Sequence, residues 1–105
     1  PSFSVRIPVG VGYDSDLEQV ERVVLDVANE LFNSMPEMNK NSKPAFKFRG
    51  FGDSSIDFIV YFRGNKYGDQ NPIIHAFVKK MHKRFNEEGI EIPFPMRTVI
   101  QRTES

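Results

Sequence analysis

Residues Phe48–Phe62 read FRGFGDSSIDFIVYF, and the fold turns on whether this stretch is one strand or two. From Ile56 the pattern is regular. Ile56, Phe58, Val60 and Phe62 fall on one side of an extended chain, and Asp57, Ile59, Tyr61 and Arg63 fall on the other. Upstream, strand character stops at Phe51. Between the two runs, Gly50 and Gly52 permit backbone angles closed to other residues, and the side chains of Asp53 and Ser54 can bond nearby amides. The stretch therefore reads as strand, corner, strand. Ala45–Phe51 and Ile56–Arg63 form a hairpin, with Gly50, Gly52, Asp53 and Ser54 as its structural corner.

The corner begins RGFG, which is also how the RNA-stacking octamer begins. That octamer needs an aromatic ring directly after RGFG and another at its last position, where this chain has Asp53 and Ile56. A stacking sheet also presents an aromatic outward from its first strand, and here the outward residues are Ser4, Arg6, Pro8, Gly10 and Gly12. The 105-residue chain balances 14 basic against 14 acidic residues. Nucleic-acid binding draws on excess positive charge to displace counterions, so no nucleic-acid partner is expected.

Working outward, Phe3–Tyr13 alternates throughout, with Phe3, Val5, Ile7, Val9, Val11 and Tyr13 on one face. Pro8 lacks the amide proton of a ladder, so the strand either bends there or is unpaired on that side. A helix follows. Ser15 and Glu18 make a capping box, and Leu17, Val20, Val24, Val27 and Leu31 make one apolar stripe. The segment 33–44 has no period and many turn formers, which predicts a long mobile loop. After the hairpin, Asn71 caps a second helix with Pro72 at its first position, and Ile74, Phe77, Val78, Met81 and Phe85 form its buried stripe. Gly89 suits a left-handed cap with Ile90 against Phe85. A last extended segment, 91–102, contains Pro93 and Pro95, which hold Phe94 on a stiff backbone as a structural motif.

The order βαββαβ predicts an α+β, ferredoxin-like sandwich: one domain, with two helices on one face of an antiparallel sheet. The first helix is acidic and the second basic, so their charges should meet side by side. Lys47, Arg49, Phe51, Ile59, Tyr61 and Arg63 are expected on the open face. There Phe51, Ile59 and Tyr61 make an apolar centre in a charged rim, a candidate subunit interface unless a segment of the same chain covers it. The absence of cysteine excludes disulfides, a thiolate nucleophile and Cys-ligated zinc. His75 and His82 lack metal-ligand spacing, and Gly10-Val11-Gly12 lacks a third glycine and is followed by acids that repel phosphate. No catalytic residue, metal site or cofactor is expected, and no apolar run approaches the ~20 residues of a spanning helix.

Three segments in order, VGVGYDSDLEQVERVV (Val9–Val24), GFGDSSIDFIVYF (Gly50–Phe62) and NEEGIEIPFPMRTV (Asn86–Val99), resemble the C-terminal cytoplasmic domain of the small-conductance mechanosensitive channel (MscS) family. The resemblance implies that residues 1–105 are one vestibule domain of a tension-gated channel that releases ions and osmolytes on hypo-osmotic shock. It also implies that the partners are other copies of the subunit in a homoheptamer. The domain would sit on the cytoplasmic face of the inner or cell membrane, reached only through an N-terminal part that this chain lacks. Residues 97–102 would either close the sheet or leave it for a barrel shared by all subunits. The alternative is a free-standing ferredoxin-like regulatory domain that binds a small ligand or RNA on its open sheet.

Overall fold

The computed structural model describes residues 3–93. Strand β1 (Phe3–Val11) leads into helix α1 (Leu17–Ser34); β2 (Ala45–Phe51) and β3 (Ile56–Gly64) follow, then a 3-10 turn (Tyr67–Asp69) and helix α2 (Gln70–Glu88). The strand order is β1-β3-β2, with both pairings antiparallel. β3 is central because it is apolar on both sides, as its buried Phe58, Ile59 and Val60 record. One core joins Val5, Ile7 and Val11 of β1, Ile56, Phe58, Val60 and Phe62 of β3, and the inner faces of both helices. This is the expected α+β sandwich. Its expected last strand lies outside the described residues, apart from Glu91–Pro93, which are not in a strand.

The helices form as their apolar periods dictate, with shifted ends. Asp16, not Ser15, caps α1; its carboxylate accepts from the amides of Glu18 (3.1 Å) and Gln19 (3.3 Å). α2 starts at Gln70, so Pro72 lies within the first turn, where amides have no helical partner to lose. Its buried stripe is Ile73, Phe77, Met81 and Phe85, while Ile74 and Val78 are exposed. The sequence offered two neighbouring ridges, and the sheet took the one carrying both phenylalanines. Gly89 ends α2 at φ +73°, and the Ile90 amide donates to the Phe85 carbonyl (2.9 Å). Across the helix pair, Lys80 meets Glu30 at 3.0 Å and Arg84 meets Asp26 at 3.4 Å. Such exposed pairs are worth at most about 1 kcal/mol each and serve mainly to set the helices' orientation.

The segment between α1 and β2 departs from expectation. It has no regular structure, but it is tied down. Met38 is buried in the core and bridges to Gly64. The Asn39 amide donates to the Arg63 carbonyl (2.8 Å), and the Asn65 amide to the Glu37 carbonyl (3.0 Å). Lys40 turns back to donate to the carbonyls of Phe32 and Met35, satisfying the C-terminus of α1.

The hairpin holds the larger correction. β2 and β3 pair in step from Ala45↔Tyr61 to Phe48↔Phe58, and the register then slips, with Gly50 opposite Asp57 and Phe51 opposite Ile56. Arg49 is the extra residue of a β-bulge, next to Gly50 at φ +142°. A one-residue slip moves every later side chain to the other face. Phe51 therefore sides with Ile56, a core-face residue, and not with Ile59 on the open face.

Candidate functional site

β3 sets the open face of the sheet. Directly opposite residues of an antiparallel pair project to the same side. The pairs Tyr61 with Arg6 and Ala45, Ile59 with Pro8 and Lys47, and Asp57 with Gly10 and Gly50 therefore make up that face. The three residues expected as its apolar centre do not form one patch. Ile59 is only 5% exposed, outside the main core, between the side chains of its two neighbouring strands. Tyr61 is half-buried, with the Arg6 guanidinium 5.8 Å from its ring centre. Phe51 stands apart at the end of the sheet and is 81% exposed. Its ring stacks on Tyr13 with centroids 6.2 Å apart, and the Tyr13 hydroxyl donates to the Gly52 carbonyl at 2.5 Å. That bond clips the end of β1 to the hairpin corner.

The corner closes through the Gly52 amide, which donates to the Ser55 carbonyl at 2.6 Å. Beside it the Ser55 hydroxyl donates to Asp57 Oδ1 at 2.6 Å. A Cβ on Gly10 would lie 2.9 Å from Ser55 Oγ, and one on Gly52 would lie 2.7 Å from Asp57 Oδ2. Both glycines thus make room for this carboxylate. Asp57 lies at one end of an open cleft of about 450 Å³, lined also by Pro8, Gly10, Arg49, Ile59, Ile92 and Pro93.

The chain reaches that cleft by crossing the edge of β1. Ile90 is in the core, the Glu91 carbonyl accepts from the Gly12 amide at 3.1 Å, and Ile92 and Pro93 line the open-face cleft. In a strand Ile90 and Ile92 would share a face; here they lie on opposite sides. Of the proline motif, Pro93 is half-buried at the cleft, and Phe94 and Pro95 lie outside the described residues.

One buried charge escaped the sequence reading. Asp69 is 5% exposed, and its Oδ2 accepts from the amides of Lys66 (2.9 Å) and Asn65 (3.1 Å), which fixes the turn between β3 and α2. An acid three and four residues after the amides it caps is a readable turn signal. Among the described residues, no group of three or more His, Asp or Glu side chains could hold a metal, and no helix is long and apolar enough to cross a membrane.

Comparison with known proteins agrees with this architecture. The family described as "Mechanosensitive ion channel MscS, C-terminal" matches residues 5–92. An uncharacterized MscS family protein of Aquifex aeolicus is 30% identical over 97 residues, covering 90% of this chain and 26% of that protein. One from Haemophilus influenzae is 32% identical over 88 residues, covering 84% of this chain and 8% of that protein. The small-conductance mechanosensitive channel MscMJ of Methanocaldococcus jannaschii is 29% identical over 99 residues, covering 90% and 27%. The chain thus spans about a quarter or less of the length of these relatives. Its fold is similar to that in the closed-state crystal structure of Helicobacter pylori MscS, with a TM-score of 0.70 at 24% identity, covering 89% of this chain and 35% of that one.

Proposed function

This chain belongs to the MscS family of mechanosensitive channels as its C-terminal domain, and from that membership we propose that it is the vestibule and assembly module of a tension-gated channel. The observation that carries this is the extent of the family match, residues 5–92, which takes in the folded unit from β1 to the end of α2. In this reading the channel releases ions and osmolytes on hypo-osmotic shock, and the domain lies on the cytoplasmic side, joined to its membrane helices by segments outside this chain. Its partners are other copies of the subunit in a homoheptamer, and the domain contributes no enzyme chemistry.

The subunit contact centres on Phe51 and Tyr61, with Ile59 supporting the open face from beneath. The exposure of Phe51 on a hydrogen-bonded aromatic mount favours this, because a rigid aromatic loses little conformational entropy on binding. Residues 97–102 leave the domain for a strand shared between subunits. Support comes from the edge crossing at Glu91–Pro93 and from the missing amide protons of Pro93 and Pro95, both of which work against a fourth strand along β1.

The test compares the isolated chain with a full-length channel. At micromolar concentration the isolated chain should sediment mainly as monomer, since one small contact must overcome roughly 4–15 kcal/mol of lost translational and rotational freedom. In the full channel the membrane helices supply the effective concentration. There Phe51→Asp, Tyr61→Asp or truncation after Pro95 should lower the yield of assembled channel and survival of osmotic downshock. Parental assembly in all three variants would remove the contact while leaving the family membership intact.

A further inference from the structure

The open-face cleft carries two opposite charges that do not neutralise each other. Asp57 lines it from β3 and Arg49, the bulge residue, from β2. Among the described residues no ion pair joins the two, or joins either to another charge. Between them the floor and walls are apolar: Ile59, Pro8, Ile92 and Pro93. The carboxylate is held in place, with Ser55 bonded to Oδ1 and Gly10 and Gly52 leaving no space for it to be displaced by a side chain. The cleft, at about 450 Å³, is of small-molecule size.

Each simpler ligand class meets an obstacle. A plain anion is repelled by Asp57 and a plain cation by Arg49. A metal ion finds only one carboxylate there, well short of the oxygen shell that hard cations take. A molecule with an ammonium and a carboxylate a few ångströms apart, joined through a small apolar body, satisfies both charges and the floor together. We propose that this cleft binds a small zwitterion of the amino-acid class, with Asp57 holding the ammonium, Arg49 the carboxylate, and Ile59 and Pro8 packing against the body between them. The site is independent of the assembly surface at Phe51, so either reading stands if the other fails.

The probe is L-proline, whose ring suits the apolar floor, titrated into the 105-residue chain and followed by amide shifts in NMR. Saturable shifts are expected at Gly10, Ser55, Asp57 and Ile59 with a dissociation constant of about 1–10 mM, the regime of an open site with few contacts. Asp57→Asn and Arg49→Gln should each weaken binding by about tenfold or more. Arg49→Gln alters an exposed side chain, so it serves even where Asp57→Asn disturbs folding. Methylammonium and acetate, each carrying one half of the recognition, should not saturate over the same range. The proposal fails if L-proline gives no saturable shift by about 100 mM, or if neither substitution weakens it. It also fails if either single-charge compound binds equally well. Saturation that appears only after removal of residues 94–105 would assign the cleft to the chain's own continuation and overturn it.

Discussion

β1 and β2 flank the same central strand and obey the alternation rule over different lengths. β1 stays in step with β3 for nine pairs, from Phe3↔Gly64 to Val11↔Ile56. β2 keeps step for four pairs, Ala45↔Tyr61 to Phe48↔Phe58, and then slips at Arg49. On β1 the inward face read from the sequence is the inward face of the fold. On β2 it is inward only as far as Phe48, and Phe51 emerges on the side opposite to expectation. Alternation is a rule about one-to-one pairing, and a single unpaired residue resets it. Both outer edges are also blunted, β1 by Pro8 and β2 by its bulge with Lys47 and Arg49 beside it, which are the devices that discourage sheets from growing edge to edge.

The harshest way to break the comparison is at the strand both neighbours share. Phe58 is fully buried, stacked on Phe46 at 4.7 Å and edge-on to Phe48 at 6.1 Å. Phe58→Ala should destabilise the chain by about 3–5 kcal/mol in urea denaturation, enough to leave many small domains unfolded. A loss below about 1 kcal/mol would mean that the β2 side of the core is not packed as described.

A milder change tests the bulge itself. Gly50 has φ +142° and nothing within 4 Å of where a Cβ would stand, so Gly50→Ala probes backbone strain without steric conflict. The expected cost is about 1–3 kcal/mol. Deletion of Arg49 is the complement. It should remove the bulge, restore one-to-one pairing and bring Phe51 onto the open face, read as loss of the ring contact between Phe51 and Tyr13 by NMR. An unchanged melt for Gly50→Ala, with that contact retained in the deletion, would show that the slip originates elsewhere.

These cases show what was legible and why. The element order, the two helices, the hairpin and the Gly89 cap follow from local chemistry that a sequence states directly. The choice of Ile73 over Ile74 did not, because two apolar ridges lie side by side on α2 and only the sheet beneath decides between them. Met38 looked like a loop residue because its burial depends on Gly64, far along the chain. The candidate contact surface was the least legible part: Phe51, Ile59 and Tyr61 share parity in the sequence, and a bulge separates them. Gly50 was correctly singled out as special, but its positive φ serves a bulge inside β2 as well as the turn after it.

The smallest expected effect sharpens the comparison most. Pro8 sits mid-strand in β1, where a missing amide proton normally disrupts a ladder. Backbone amides of a strand point alternately to its two sides. The Gly12 amide points away from β3, to the Glu91 carbonyl, so by alternation the nitrogens of Gly10 and Pro8 point the same way. Pro8 therefore removes a donor only from the outer edge, which carries no strand among the described residues. Pro8→Val should change stability by no more than about 0.5 kcal/mol, its gain in strand propensity offset by the freer unfolded chain. It should raise self-association at high concentration, since the edge then gains a donor facing solvent. Ile7→Pro, one residue away, removes a donor facing β3 and should cost far more. If Pro8→Val instead stabilised the chain by more than about 1 kcal/mol, the restored amide would have found a ladder partner. The segment after Pro93 would then be a fourth strand along β1, and the proposal that residues 97–102 leave the domain would fall.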